Sequence, residues 1–211
     1  MKRCARNIGA ALLVLLLAAC AGGPAPRPNP PAPPSAQKQA PASAPAAGSA
    51  EQRYRDALAL LKNGQRKPAQ EVLLALTREY PDLSGPWTTL GISQAQGKQR
   101  DAAIASFTRA VEANPRNAVA HNWLGSLYRE GGNFGAAEQA YRRALAAQPE
   151  YAPAHLNLAI LYDVSLRRPQ QALPYYRSYQ KLQGDKLIVS AWIKELETVA
   201  PPGVNVAEVQ P

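Results

Sequence analysis

Cysteines and long apolar runs are both scarce in this sequence. Its 211 residues include two cysteines, Cys4 and Cys20, and both lie near the start of the chain. The rest of the chain therefore cannot form an internal disulfide, and we expect side-chain packing alone to stabilise it. The longest apolar run, Ile8 to Ala19, has twelve residues, whereas a helix that spans a bilayer needs about 20.

Sequence signatures of catalysis are absent as well. The chain has no Gly-rich phosphate loop, no nucleophile elbow, no paired carboxylates and no nucleophile beside a base. We therefore predict that the protein is not an enzyme, that it has no small-molecule substrate and that it needs no cofactor.

Histidine is rare, and its placement does not suggest a metal site. The interval from Trp87 to His121 is the same as the interval from His121 to His155, and the chain has no other histidine. A metal site would need further ligands at suitable spacing, and the sequence offers none. We interpret all three residues as packing residues at equivalent positions, and we predict no bound metal.

Charge of one sign is not concentrated in any segment. The formal net charge is +9, but basic and acidic residues are interspersed, without a run of five like charges. This pattern is typical of a solvated helical surface rather than of a nucleic-acid interface. We therefore predict no nucleic-acid partner.

The start of the chain has the organisation of a signal peptide. Basic residues precede the apolar run and small residues end it, which predicts a cleaved segment over residues 1–19. The run ends in Leu17-Ala18-Ala19-Cys20, which resembles the lipobox of bacterial lipoproteins. That resemblance implies cleavage before Cys20 and acylation of its thiol and its amine with fatty acids such as palmitate. An ordinary signal peptide with a chance cysteine is the alternative.

The residue after Cys20 bears on the membrane that would hold the protein. Several acyl chains attach a protein firmly to a bilayer, whereas one chain does so only marginally. The next residue is Ala21, and not the aspartate that commonly retains lipoproteins in the inner membrane. We therefore expect the periplasmic face of the outer membrane, with the inner membrane as the alternative.

Two segments have compositions that disfavour a packed core. Residues 21–50 contain nine prolines and ten alanines, and no Val, Ile, Leu, Met, Phe, Trp or Tyr. Together with Cys20 they predict a lipidated, disordered tether over residues 20–50. The sequence Pro201-Pro202-Gly203 begins residues 201–211, for which we predict a disordered tail.

The sequence between these segments is periodic. Seven positions of one segment correspond, in the same order and at the same spacing, to seven positions of the next. The first segment has Trp87, Leu90, Gly91, Ala103, Phe107, Ala110 and Pro115, and the second has His121, Leu124, Gly125, Ala137, Tyr141, Ala144 and Pro149. This pattern resembles the tetratricopeptide repeat, a pair of antiparallel helices that recurs about every 34 residues. The resemblance implies an all-α solenoid, because neighbouring repeats must bury each other's apolar faces.

Counting in this period divides a domain over residues 51–200 into about four repeats. We predict repeats over residues 51–83, 84–117, 118–151 and 152–184, and a capping helix over 185–199. On that last helix we expect five apolar residues to share the packing face: Leu187, Ile188, Ala191, Trp192 and Leu196.

The fourth repeat is one residue longer than the third. Tyr162 and Ala172 are ten residues apart, whereas the equivalent Tyr128 and Ala137 are nine apart. We therefore expect a one-residue insertion in the turn at 166–169.

The resemblance also implies a binding surface, because in this family the first helices line a concave face that usually holds the ligand. Carried over by position, the protein-binding groove consists of Thr88 and Ile92 in the second repeat, Asn122, Trp123, Ser126 and Arg129 in the third, and Leu156, Asn157 and Ile160 in the fourth. Trp123 is either a binding anchor or a core residue that turns into the neighbouring repeat. The lysine and asparagine clamp with which some family members hold a free C-terminus is incomplete here.

These features predict a lipid-anchored scaffold or adaptor that binds protein partners in the periplasm. The architecture is similar to that of pilotin-type lipoproteins, which implies a role in assembling an envelope machine such as a pilus or a secretin. The alternatives are an adaptor for peptidoglycan enzymes and a structural spacer with no defined groove ligand.

Overall fold

The computed structural model describes residues 49–199, which contain helices and no strand. The helices are α1 Ala50–Lys62, α2 Arg66–Glu79, α3 Ser84–Gln96, α4 Arg100–Ala113, α5 Ala118–Glu130, α6 Phe134–Ala147, α7 Ala152–Ile160, α8 Pro169–Gln183 and α9 Leu187–Val199. A π-helical turn, Leu161–Ser165, continues α7. Cys20 and the predicted signal peptide, tether and tail lie outside the described residues. No helix in residues 49–199 is long and apolar enough to cross a membrane.

The helices pack in consecutive pairs. Helix α1 packs on α2, α3 on α4, α5 on α6 and α7 on α8, while each pair also packs on the first helix of the next. Helix α9 packs on α8 and covers the end of the array. The predicted all-α solenoid with a capping helix is therefore confirmed.

The close approach of paired helices depends on a glycine that faces an aromatic ring. A Cβ at Gly125 would lie 2.5 Å from Cε1 of Tyr141, and one at Gly91 would lie 2.8 Å from Cε1 of Phe107. Both rings are completely buried. These two positions admit no side chain without displacing the ring, which explains the Leu-Gly pairs that mark the repeat in the sequence.

Each helix pair turns at a residue with left-handed backbone geometry. Gly64, Lys98, Gly132 and Arg167 have φ values of 75°, 59°, 76° and 54°. The amide after each of these residues donates to a carbonyl in the last turn of the preceding helix, for example Asn133 N to Tyr128 O at 2.9 Å. This arrangement satisfies carbonyls that a helix end would otherwise leave without a donor.

The predicted position of the insertion in the fourth repeat is wrong. The turns of the third and fourth repeats have the same length, residues 131–133 and 166–168. The extra residue lies in the first helix instead, where Leu166 N donates to Leu161 O at 2.9 Å across five residues. Widening one helical turn into a π turn absorbs the added residue within the helix.

The packing face of α9 also differs from the prediction. Val189, Ile193 and Leu196 are buried, and Trp192 is partly buried. Leu187 and Ile188 are 92% and 60% exposed, and Ala191 is exposed as well. The buried residues follow a helical spacing of four and three residues from Val189. A second set of apolar residues at helical spacing begins at Leu187, and in the structure it is the first set that packs on the array.

Candidate protein-binding groove

The inner face of the array is formed by the first helix of each repeat. Helix α3 contacts α5, and α5 contacts α7, although a second helix lies between them in sequence. The second helices of neighbouring repeats have at most sparse contact with one another. The array therefore curves with its first helices inside, and their exposed side chains define the groove.

Hydrogen bonds join neighbouring first helices across the groove floor. The Tyr54 hydroxyl lies 2.7 Å from Thr89 Oγ1, and Asn157 Nδ2 donates to Asn122 Oδ1 at 2.9 Å. Both bonds join the fifth residue of one first helix to the sixth residue of the next. Asn122 is only 7% exposed, so its side chain contributes mainly to holding the two repeats together.

Thr88 likewise contributes to the junction between repeats. Its hydroxyl donates to Ser84 O at 2.8 Å and accepts from Asn117 Nδ2 at 2.8 Å. Asn117 caps α5, because its Oδ1 accepts from Ala120 N at 2.9 Å. Asn117 was not among the residues predicted from the sequence, although an asparagine just before a helix is a recognisable capping signal.

Trp123 lies between the groove and the core. Its ring stacks on Phe107 of the preceding repeat, with ring centroids 5.8 Å apart and an interplanar angle of 9°. The side chain is partly buried against the cluster around Phe107 and Leu124. One part of the indole therefore supports the contact between repeats, and the rest remains on the inner surface. Its role as a binding anchor stays a prediction.

Apolar side chains make up much of the remaining groove surface. Ile92, Leu156 and Ile160 are partly exposed. Leu58 and Val164 are 41% and 56% exposed on the first helices of the first and fourth repeats. Neither Leu58 nor Val164 was predicted to line the groove, although both occupy groove positions. The first repeat lacks the Leu-Gly pair that sets the register, and the π turn shifts the end of the first helix of the fourth repeat.

Two charged side chains of opposite sign occupy the twelfth position in adjacent repeats. Arg129 and Asp163 are partly exposed, and neither forms an ion pair within residues 49–199. The Arg129 Nε is buried, and no atom of the described residues forms a hydrogen bond with it. Both side chains therefore keep exposed surface at the groove, where a ligand of complementary charge would meet them.

Buried tyrosines stand behind these polar positions. The Tyr141 hydroxyl donates to Ser126 Oγ at 3.2 Å, and the Tyr176 hydroxyl donates to Asp163 Oδ2 at 3.3 Å. Burial, followed by the neighbouring Asp163 carboxylate, raises the pKa of Tyr176. Its hydroxyl therefore remains a donor, and it orients the Asp163 carboxylate on the groove surface.

The two histidines and Trp87 make the same contact in three successive repeats. Trp87 Nε1 donates to Pro81 O at 2.9 Å, while the Nε2 atoms of His121 and His155 lie 2.9 Å and 2.8 Å from the carbonyl oxygens of Pro115 and Pro149. A carbonyl only accepts, so each ring nitrogen donates. Burial lowers the pKa of His121. Residues 49–199 contain no group of three or more side chains suited to hold a metal ion.

The tetratricopeptide repeat family matches residues 88–152 and again residues 124–186. Together with the helix pairs and their period, this match identifies the array as a member of the tetratricopeptide repeat family. Among curated proteins, none matches this chain.

Solved structures with the same architecture support the fold. MamA from Desulfovibrio magneticus RS-1 is 18% identical, with a TM-score of 0.62 over 73% of this chain and 87% of that one. The pilF protein of Pseudomonas aeruginosa is 19% identical, with a TM-score of 0.63 over 71% and 68%. A tetratricopeptide repeat protein from Parabacteroides merdae is 21% identical, with a TM-score of 0.60 over 71% and 60%. At these identities the likeness concerns the fold alone.

Proposed function

We propose that the protein is a lipid-anchored scaffold whose groove binds a segment of a protein partner. Tetratricopeptide arrays mediate interactions between proteins, and this inner face has the chemistry for one. The observation that carries the proposal is the pair Arg129 and Asp163, neither of which forms an ion pair within residues 49–199, beside partly exposed Ile92, Trp123 and Ile160. Apolar surface on a concave face favours burial under a ligand, and the two charges favour a ligand that brings their complements.

The groove selects for an amphipathic segment. Apolar side chains of the partner would cover the isoleucines and the free edge of Trp123. A carboxylate of the partner would meet Arg129, and a basic group would meet Asp163, because charged groups at an interface are most favourable opposite their complement. The two charges lie on adjacent repeats, so they also fix the direction in which the segment lies.

The proposed location rests on the start of the sequence. Acylation of Cys20 would hold the protein at the periplasmic face of the outer membrane, and the proline-rich tether would let the array reach away from it. In that position the scaffold would assist assembly of an envelope machine such as a pilus or a secretin.

Labelling with a fatty acid tests the anchor. The unchanged chain should incorporate the label, and Cys20→Ser should incorporate none and accumulate at the length of the precursor. Separation of inner and outer membranes then tests the location. Equal labelling of both chains would contradict lipidation at Cys20, and recovery in the inner membrane alone would contradict the outer-membrane location.

Site-directed photo-crosslinking tests the groove. A crosslinking residue at Val164 or Leu58, which are exposed on the inner face, should capture one defined protein in cell envelopes. The matched control is Ala105, an exposed residue on the second helix of its repeat, and it should not capture that protein. The variant Ile92→Glu should abolish capture from Val164. Because Ile92 also packs on the cluster around Phe107, urea unfolding of the variant would show that it is still folded. Equal capture from all three positions, or none, would support a spacer instead.

A further inference from the structure

The same pocket recurs at the three junctions between successive repeats. Each junction pocket lies where the proline that ends one repeat meets the aromatic ring at the fourth position of the next: Pro81 with Trp87, Pro115 with His121 and Pro149 with His155. Two further positions at each junction decide its charge: the residue after the proline, and a residue on the facing second helix. None of these residues belongs to the groove.

The first junction pocket is small, and its basic residue is already paired with a carboxylate. Arg109 on the facing helix forms an ion pair with Glu112 at 2.8 Å and places its guanidinium 5.9 Å from the centre of the Trp87 ring. Asp82 follows the proline, and the cavity measures about 140 Å³. Its one basic group is thus already engaged by a carboxylate and by an aromatic face.

The third junction pocket is larger but has no cation. Its cavity measures about 380 Å³ and is lined by Leu145, Pro174, Tyr175 and Ser178 beside His155. Ser178 occupies the position on the facing helix, and Glu150 follows the proline. This pocket is apolar, and the only charge at its two variable positions is negative.

The second junction pocket has two arginines. Arg116 follows the proline and Arg143 lies on the facing helix, and they line a cavity of about 430 Å³ with Val111, Ala146 and His121. Neither arginine forms an ion pair within residues 49–199. Glu112 also lines the cavity, but its carboxylate is bonded to Arg109. Two unpaired guanidinium groups therefore face an apolar wall.

We propose that the second junction pocket is a binding site for a carboxylate attached to a compact apolar body. Guanidinium groups present paired donors that match a carboxylate, and charge-assisted bonds of this kind are about twice as strong as neutral ones. The volume lies within the range of about 300–1,000 Å³ that small ligands occupy. The carboxylate would meet Arg116 and Arg143, and the apolar body would cover Val111 and Ala146. The site is independent of the groove.

This chemistry has two sources, a small organic acid and the C-terminus of a peptide that ends in an apolar residue. The probes N-acetyl-leucine and acetyl-Ala-Ala-Leu represent them, and N-acetyl-leucinamide is the neutral control. Binding of both acids assigns the pocket to peptide C-termini, while binding of N-acetyl-leucine alone assigns it to small acids. Inorganic phosphate serves as an anion without an apolar body.

The two histidines report on this proposal separately, because each lies in a different junction pocket and the chain has no other. We would follow the ring Cε1–H signals of the untagged full chain by NMR while a probe is added. The His121 signal should shift saturably with the acid, and the His155 signal should stay in place. The amide and phosphate should produce at most a tenth of the response at the same concentration. Substitution of each histidine by glutamine assigns the signals.

Variants that exchange the two junctions complete the test. Arg143→Ser and Arg116→Glu copy the third junction into the second, and each should weaken binding of the acid by at least about tenfold, as expected for loss of a charge-assisted hydrogen bond. Both arginines are exposed, so the melting temperature should be unchanged. The double variant Glu150→Arg with Ser178→Arg should make the His155 signal respond. Equal shifts of both histidines in the unchanged chain, an equal response to the amide, or a His155 signal that stays silent in the double variant would overturn the proposal.

Discussion

The third and fourth repeats share their core but differ where each first helix ends. In both repeats a buried tyrosine, Tyr141 or Tyr176, fills the space between the paired helices. In the third repeat α5 is regular over 13 residues, and the tyrosine donates to Ser126. In the fourth repeat the helix ends in a π turn, and the tyrosine donates to Asp163. The buried apolar positions are thus the same in the two repeats. The charge at the inner-face positions differs, and so does the length of the first helix.

Gly125→Leu should disrupt the third repeat most. The added side chain would overlap the buried Tyr141 ring, since even a Cβ would lie 2.5 Å from it, and overpacking of this kind costs on the order of 1–3 kcal/mol or more. Urea unfolding would measure the loss. Leucine is the better helix former, so unchanged or increased stability would show that the contact with Tyr141 is not tight.

The matched change in the fourth repeat is Ala159→Gly. Ala159 is equivalent to Gly125 and is fully buried, so the fourth repeat already accommodates a methyl group there. Removing it should cost about 1–2 kcal/mol, from the backbone entropy of glycine and from the loss of one buried methyl group, and urea unfolding would measure this cost too.

Trp123→Ala should separate the two roles of this residue. The ring stacks on Phe107 but is only partly buried, so we expect a loss of roughly 2 kcal/mol in folding free energy, less than the 3–5 kcal/mol of a fully buried aromatic. If the free part of the ring is a binding anchor, the free energy of partner binding should also weaken by about 2 kcal/mol or more. Thermal unfolding gives the first quantity and titration with the crosslinked partner the second.

The conservative variant Trp123→Phe provides the control, because it keeps a ring against Phe107. It should recover most of the stability. A large loss of stability in Trp123→Ala with full partner capture would assign the residue to the core alone.

Asn157→Ala should have a smaller effect, because it removes one hydrogen bond. The side chain of Asn122 would remain buried without its donor, and a loss of this type costs about 1–3 kcal/mol. The double variant Asn122→Ala with Asn157→Ala should recover part of that cost, since no unpaired amide then remains. Urea unfolding of the three chains forms the cycle, and strictly additive losses would mean that the bond contributes nothing.

Exchanging the turn residues of the third and fourth repeats should change the free energy of unfolding least. The two exchanges should change it in opposite directions. Arg167 has a φ of 54° and Gly132 a φ of 76°, in a region that costs a non-glycine residue about 1–2 kcal/mol. Arg167→Gly should therefore stabilise the protein by up to about 1 kcal/mol. The relief of backbone strain is larger than this, but glycine loses more conformational entropy on folding, which offsets part of it. Gly132→Arg should destabilise it by a similar amount.

Gly132 is suited to this test because a Cβ there would meet no atom within 4 Å. The change in stability therefore reports backbone geometry rather than packing. Melting temperatures that move in the same direction for both variants would contradict the assignment of these turns.

The repeat period predicted the helix pairs, because it rests on positions that every repeat must bury. The residues that join repeats were harder to predict. The stacking of Trp123 on Phe107 and the bond between Asn122 and Asn157 connect side chains of different repeats, and nothing in the local pattern relates them. The α9 stripe was misassigned because apolar residues occur at two overlapping helical spacings, and only contact with α8 selects one.

The candidate groove was predictable in outline, because the family relation assigns positions to the inner face. Whether each side chain there is free depends on its neighbours. Asn122 and Thr88 are engaged in bonds between repeats, whereas Arg129 and Asp163 are not paired within the described chain. This division follows from side-chain geometry that a position in the repeat does not determine.

The π turn has a consequence for how such arrays tolerate a change in length. One added residue in a regular helix would rotate every later side chain by about 100° and would direct the core positions of α8 towards solvent. The wider turn takes up the residue before the chain reverses, so Ala172 and Tyr176 are as deeply buried as Ala137 and Tyr141. The core positions that follow the π turn therefore keep the same orientation as in the other repeats, and the added residue does not change the packing further along the chain. A repeat array of this kind can therefore gain a residue on its inner face while the repeats on either side keep their packing.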